Sequence, residues 1–380
     1  MSAINTILGI VFLVLLIANL VALPQRFAWR RPGWRGWVHG LGIFTTGATL
    51  GLLCIGGLVT SHGAGMAVPD WPNTFGYNMF LFPVSGWVSG IFYEHTHRLW
   101  ASGVGLLTML LAVGIAWSDS RRWMRWLGLG AVALVIFQGV LGGLRVTEAA
   151  NWIGIFHGCL AQAFLCLVAF LTLATSRWWL ETSREATAEG ARIPAGWVKL
   201  AVIAVALIYG QLILGASMRH AHMGLAVPDF PTAYGQIIPA MDDAAMEEIN
   251  DGRFLKGESA TTRTQITIHL AHRLGAVLVF VGIVVAVDRL LRRRQTVPAA
   301  LQRGAWSWLL LVGVQILLGA WVVWSNKAAD IATVHTLIGA LILVTGVMLA
   351  VMAARLQWWE RRLPAPAPAP VDQTAAAPVG

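Results

Sequence analysis

Charge is scarce in this sequence. Only 12% of its 380 residues are Asp, Glu, Lys or Arg, against 57% hydrophobic residues, a balance that excludes an ordinary soluble protein and places the chain in the membrane class. Cysteine is scarcer still. Cys54, Cys159 and Cys166 all fall in apolar stretches, which excludes a disulfide-stapled external domain and marks them as small buried residues. The apolar stretch at about 3–23 has neither the basic leader nor the small-residue cleavage site of a secretory signal, so it reads as a retained additional transmembrane helix.

What is abundant is apolar length. Runs recur at 41–60, 90–117, 126–145, 152–175, 197–218, 266–288, 304–324 and 331–354, each near the ~20 residues that cross a hydrocarbon core of about 30 Å. The net charge of +9 is segregated by loop, as membrane topology demands, and calls for no nucleic-acid partner. Arg121, Arg122 and Arg125 lie in one basic connection and Arg292, Arg293 and Arg294 in another, whereas 61–89, 146–151, 219–264 and 325–330 are poor in Lys and Arg. The poor connections are therefore expected outside and the C-terminus in the cytoplasm, with the protein spanning the inner (plasma) membrane many times. Residues 357–380, rich in Pro and Ala, read as a disordered tail.

The chain also contains itself twice. Gly65-Met-Ala-Val-Pro-Asp-Trp-Pro72 returns as Gly224-Leu-Ala-Val-Pro-Asp-Phe-Pro231, His97-Arg98 as His272-Arg273, Gln138-x-x-Leu-Gly-Gly143 as Gln315-x-x-Leu-Gly-Ala320, and His157 as His335. An even number of spans separates the copies, so both halves should point the same way. The expected fold is an all-α integral membrane protein of two tandem four-helix transmembrane bundles, a parallel internal duplication, plus an extra N-terminal helix. Its expected segments are 1–36 (extra helix and basic linker), 37–176 (first bundle), 177–196 (cytoplasmic linker), 197–356 (second bundle) and 357–380 (tail). The Val-Pro-Asp-aromatic-Pro segments combine turn chemistry with Trp71 and Phe230, placed as interfacial aromatics would be.

Ionisable residues inside spans are costly and point to function. His97, His157, His272 and His335 lie a few residues inside the outer ends of alternate spans, two in each repeat. A lone histidine there serves an interhelical hydrogen bond; four at one depth indicate ligation. Imidazoles from two neighbouring helices of a bundle can hold a heme iron from both faces, and no cysteine stands at that level to complete a zinc site. His269, three residues before His272 and so on its helix face, is the local arrangement that could instead chelate a small metal. In the first repeat Glu94 stands at that place. A carboxylate there would face the same heme edge and handle protons, water or developing positive charge; the plain alternative is a helix-start acid. Arg98 and Arg273 suit heme propionates by their guanidinium geometry, with snorkelling to phospholipid as the alternative. His95 falls on another face and reads as packing, whereas His62, His220 and His222 read as solvated residues beside the outer loops, with a role at the site entrance as the alternative. Gln138, Gln211 and Gln315, each followed closely by Leu-Gly, mark close helix approaches.

Taken together, Glu94-x-x-His97-Arg98, His157, His269-x-x-His272-Arg273 and His335 on a duplicated frame resemble the heme A synthase family, over roughly residues 37–356. The resemblance implies an enzyme that oxidises the C8 methyl of heme O to a formyl group by successive hydroxylations, serving cytochrome oxidase assembly. It implies heme O as substrate ligated by His97 and His157, Glu94 as the catalytic carboxylate, and an iron-containing heme b cofactor ligated by His272 and His335. The partners it implies are the upstream heme O synthase, an electron acceptor such as a quinone, membrane lipid and a further copy of the chain. Many family members carry an outer-loop cysteine pair that this chain lacks, and the helix before Arg26 lies outside the family core. The residues alone leave two other readings open: a diheme cytochrome b of quinol electron transfer, which needs no Glu94, and a heme carrier without chemistry.

Overall fold

The structure, a computed structural model, describes residues 33–363. The expected helix at 3–23 and most of the C-terminal tail lie outside those residues. Eight helices are long and apolar enough to cross a membrane: α1 (Trp34–Ser61), α2 (Ser89–Ser118), α3 (Arg122–Thr147), α4 (Asn151–Thr175), α6 (Trp197–His220), α8 (Arg263–Leu291), α9 (Ala299–Trp324) and α10 (Ala329–Glu360). At 1.5 Å per residue even the shortest exceeds the hydrocarbon thickness. Each of the eight apolar runs is one of these helices, and among the described residues there are no strands, only two isolated β-bridges in loops.

Two shorter helices were not expected. The short α5 (Ser183–Ala188) follows a π-turn at Trp178–Thr182 and packs on α10, with Trp178, Trp179 and Ser183 buried. The segment read as an acidic loop contains α7 (Asp243–Leu255). The Asp242 side chain caps α7 by accepting from the Ala245 N–H, and α8 starts on a reciprocal box between Thr262 and Gln265, each satisfying backbone donors that the first helical turn leaves free.

Helix pairing follows chain order. α1 packs on α2 and α4, α3 on α2 and α4; likewise α6 packs on α8 and α10, and α9 on α8 and α10. Contacts of α1 and α4 with α6 and α10 join the two sets, which leaves α10 the most buried span. Lipid tails are as apolar as leucine, so close approach and hydrogen bonds hold such helices together. At Gly57 an added Cβ would stand 2.8 Å from Thr333 Cγ2, and at Gly346 2.6 Å from the Trp308 ring, so α1–α10 and α9–α10 meet at near backbone distance. His39 Nδ1 bonds Thr172 O (3.0 Å), and the Trp197 and Trp308 indoles donate to the carbonyls of Ala286 (2.7 Å) and Ile342 (2.9 Å). Outward positions such as Leu106, Leu110, Val277, Val281, Leu310 and Leu317 are exposed, as lipid-facing side chains should be.

Candidate functional site: four imidazoles on one cavity

His97, His157, His272 and His335 each sit in the second or third turn of their helices, α2, α4, α8 and α10, and all four line one cavity of about 1360 Å³. A single small-molecule pocket is usually 300–1,000 Å³, so this space exceeds the need of one ligand. Each ring edge lies over a glycine of the preceding spanning helix. Measured to the imidazole Cε1, a Cβ added at the glycine would come within 3.0 Å at Gly56 for His97, 3.5 Å at Gly142 for His157, 3.2 Å at Gly215 for His272 and 3.2 Å at Gly319 for His335. The missing side chain is what lets the ring lie against the neighbouring backbone.

One turn before three of these glycines stands a glutamine. Gln211 Nε2 donates to His272 O (2.7 Å) and meets its Nδ1 (3.1 Å); Gln138 Nε2 donates to His157 O (3.3 Å); Gln315 Nε2 meets His335 Nε2 (3.4 Å). The corresponding residue of α1 is Leu52, and Nδ1 of His97 is buried without a partner, as are Nδ1 of His157 and His335. His97 and His157 stand on α2 and α4 of the first set of helices, and His272 and His335 on α8 and α10 of the second. Among the described residues no three His, Cys, Asp or Glu cluster as a small-metal site, which counts against chelation by His269 and His272.

Two loops close one end of the cavity and repeat each other in the bonds of their aspartates. Asp70 accepts from the N–H groups of Phe75 and Gly76, and Asp229 from those of Tyr234 and Gly235. The Trp71–Pro72 and Phe230–Pro231 peptides are both cis, and Phe75, Gly76, Tyr234 and Gly235 all have positive φ. Burial opposes the charge on Asp229, but the N–H of Gly235, the Thr232 hydroxyl and the N–H of Tyr234 outweigh it and hold its pKa below the ordinary carboxylate value. Trp71 turns inward: its ring lies where a Cβ on Gly143 would be, and it lines the cavity. Phe230 packs edge-on against Trp324 with Arg273 above its ring.

Glu94 and His269 occupy matching seats under these loops. Glu94 Oε2 accepts from Val68 N (2.9 Å), and His269 Nδ1 accepts from Val227 N (3.3 Å). Both are buried, at 4% exposure, yet line the cavity, and Glu94 is its one acidic lining residue among those described. Arg98 donates to Glu94 Oε1 (2.7 Å) and to the carbonyls of Val68, Asp70 and Asn73; Arg273 donates to those of Asp229 and Thr232. Both guanidinium groups thus hold the loops down through Nη1 and Nη2.

The other histidines divide. His95 is wholly buried between Phe82 and Trp87 and meets the Thr74 hydroxyl (3.2 Å), whereas His62 is exposed and stacked on Tyr93. His220, expected in solvent, is half-buried against Gly154 and lines the cavity, and the exposed His222 stands at its rim. Sequence reasoning missed the glycine notches, Leu52 and Arg145. The Gln-x-x-Leu-Gly spacing carried a signal for the notches, while nothing in the sequence marked the other two.

These features define a polytopic α-helical membrane protein whose spanning helices present imidazoles in pairs to one apolar cavity. The chain belongs to the family described as cytochrome oxidase assembly protein, which it matches over residues 39–347. Similar proteins include the heme A synthase of Alkalihalophilus pseudofirmus, 26% identical over 305 residues, or 78% of this chain and 92% of that one. The heme A synthase of Halalkalibacterium halodurans is 24% identical over 317 residues, 81% of this chain and 95% of its own. That of Shouchella clausii is 31% identical over 206 residues, covering 52% of this chain and 64% of its own.

Proposed function

We propose that this chain is a heme A synthase, a membrane oxidoreductase that converts the C8 methyl group of heme O to a formyl group through successive hydroxylations. Substrate heme O is held between His97 and His157, and a heme b cofactor between His272 and His335. The observation that carries the reading is the set of four imidazoles, each laid in a glycine notch and opening in pairs onto one large cavity. The buried, unpartnered ring nitrogens and the apolar walls suit porphyrins held by axial imidazoles, whereas a small hydrated cation needs more ligands than a pair.

When bound, heme b supplies a redox centre able to accept and pass on single electrons. The chain's own residues do the rest. Gln211 Nε2 donates to the His272 carbonyl and so fixes the turn of α8 that carries the ring, while Gln315 stands beside the His335 ring. Glu94, fixed by the Val68 N–H and Arg98, keeps a carboxylate at the substrate side of the cavity. With water as the oxygen source, taking the methyl group to a formyl group would release four protons and four electrons for each molecule; the electrons would leave to the external acceptor, and the Glu94 carboxylate is placed to accept protons or to stabilise positive charge. The Val-Pro-Asp loops cover that end and keep bulk water from it.

The matching loop bonds, notches and histidines support a parallel duplication of two four-helix bundles, 37–176 and 197–356. The arginine bias supports an inner (plasma) membrane location with the covered end outside and the C-terminus cytoplasmic. The upstream heme O synthase, a quinone acceptor and a homo-oligomer are the partners consistent with this reading.

Coexpression with a heme O source and chromatography of the extracted pigments test it. Wild-type protein should yield heme A, heme O and heme b, and Glu94→Gln should yield heme O and heme b without heme A. Heme b alone from the wild type would indicate electron transfer without porphyrin chemistry, substoichiometric heme would indicate a carrier, and heme A at the normal rate from Glu94→Gln would remove the role of Glu94.

A further inference from the structure

Arg145 stands in the last turn of α3, one turn beyond Gly142 and the His157 ring that lies on it. Its guanidinium passes over two glycines: a Cβ on Gly65 would stand 2.7 Å from Nη2, and one on Gly154 would stand 3.0 Å from Nε. The His220 ring reaches the same Gly154 Cβ position from α6, at 2.8 Å. Arginine and imidazole thus converge at the loop end of the cavity, above the His97–His157 pair, and both line it.

The other arginines on this cavity are engaged. Arg98 and Arg273 hold the loops, and Arg219 donates to Thr336, Ser61 and the Gly57 carbonyl. Arg145, by contrast, makes no hydrogen bond and no ion pair among the described residues. Glu94, the one acidic residue lining the cavity among those described, already has its two oxygens bonded to Val68 and Arg98. A guanidinium left unpaired at membrane depth is expensive, and such charges are kept where an anion meets them. In the repeat, Val322 takes the place of Arg145, so this guanidinium has no counterpart in the second half; Lys327 also lines the cavity.

We propose that Arg145, with His220 beside it, is a carboxylate-binding site that takes a propionate of the substrate porphyrin. The proposal rests on the heme reading given above. A planar guanidinium binds carboxylate by paired hydrogen bonds. Anchoring the acidic edge of the porphyrin at the loop end limits the orientations it can take about the iron, and so selects which ring methyls can face Glu94. Arg145 is in this sense a specificity-determining residue.

The test is a porphyrin titration of the full-length, detergent-solubilised protein, following the Soret band and taking the component that disappears in His157→Ala. Iron protoporphyrin and its dimethyl ester are compared, the ester lacking only the carboxylate charges. Wild-type protein should bind the diacid at least tenfold more tightly than the ester. Arg145→Leu should lower diacid affinity by about ten- to a hundredfold, the range of a charge-assisted hydrogen bond, without changing ester affinity, and Arg145→Lys should recover part of the difference. Equal affinity of wild-type protein for both porphyrins overturns the carboxylate site alone, with no variant needed. Undiminished preference for the diacid in Arg145→Leu assigns it to another cation and also overturns the site. Absence of any His157-dependent uptake removes the heme reading and this site with it.

Discussion

The glycine notches make a graded test of the site. Each Gly→Ala replacement adds a Cβ at a known distance from an imidazole: 3.0 Å at Gly56, 3.2 Å at Gly215 and Gly319, and 3.5 Å at Gly142. The last is ordinary van der Waals contact and requires no movement. The others require the ring to yield by a few tenths of an ångström, and under the proposed assignment the ring is also the axial ligand, so yielding means turning away from its rotamer. An off-rotamer side chain costs about 0.5–1.5 kcal/mol, which corresponds to roughly two- to tenfold weaker heme retention. The expected order of effect is Gly56→Ala first, then Gly215→Ala and Gly319→Ala together, with Gly142→Ala indistinguishable from wild type. The assay is the rate of heme loss from purified, porphyrin-loaded protein to an excess of acceptor apoprotein, with the visible spectrum recorded before transfer and size-exclusion profiles as the folding control. Gly142→Ala losing heme as fast as Gly56→Ala, with both proteins folded, would refute the reasoning, because the distances would then not govern the effect.

Two further outcomes follow from the hydrogen bonds. Gln211→Leu removes both contacts to His272 and should weaken cofactor binding about two- to tenfold, the range of a neutral hydrogen bond that positions the ring; Gln138→Leu, which loses one longer bond to a carbonyl, should do less, and the reverse ranking in a heme titration would count against the assignment. Asp229 has a lowered folded-state pKa, so its contribution to the loop is complete above the ordinary carboxylate pKa of about 3.9 and is lost as pH falls through the lower folded value. Hydrogen-exchange protection of the Tyr234 and Gly235 amides should therefore be flat from neutral pH to about 5 and decline in stronger acid, and a decline centred near neutrality would show that another group controls the loop.

The two halves differ where they face the same cavity, and in each case the first half carries the exception. Leu52 replaces the glutamine that Gln211 provides, Glu94 replaces His269 on the same valine N–H, and Arg145 replaces Val322. The scaffold is alike on both sides: the loops make the same bonds and every imidazole has its glycine. Under the proposed assignment, the half with the fuller outer support for its histidines holds the resident cofactor. The half with the carboxylate and the unpaired cation receives the substrate.

All eight spans, the loop repeat and the four histidines were legible in the chain itself. Apolar length against membrane thickness and the recurrence of a motif are one-dimensional properties, which neighbours cannot alter. Legible in part was the Gln-x-x-Leu-Gly spacing, which announced close helix approach without saying what approaches. Arg98 and Arg273 show the limit: residue type and position suggested a partner for each, but the loop carbonyls they hold come from up to 44 residues away.

Only packing decided which glycine receives which imidazole, that Glu94 and His269 share a seat, that His220 turns inward, and that Arg145 makes no hydrogen bond or ion pair among the described residues. Helix formation is satisfied within one segment by its own backbone. The direction and partners of a side chain depend on how helices meet, and that is set by contacts between residues far apart in the chain.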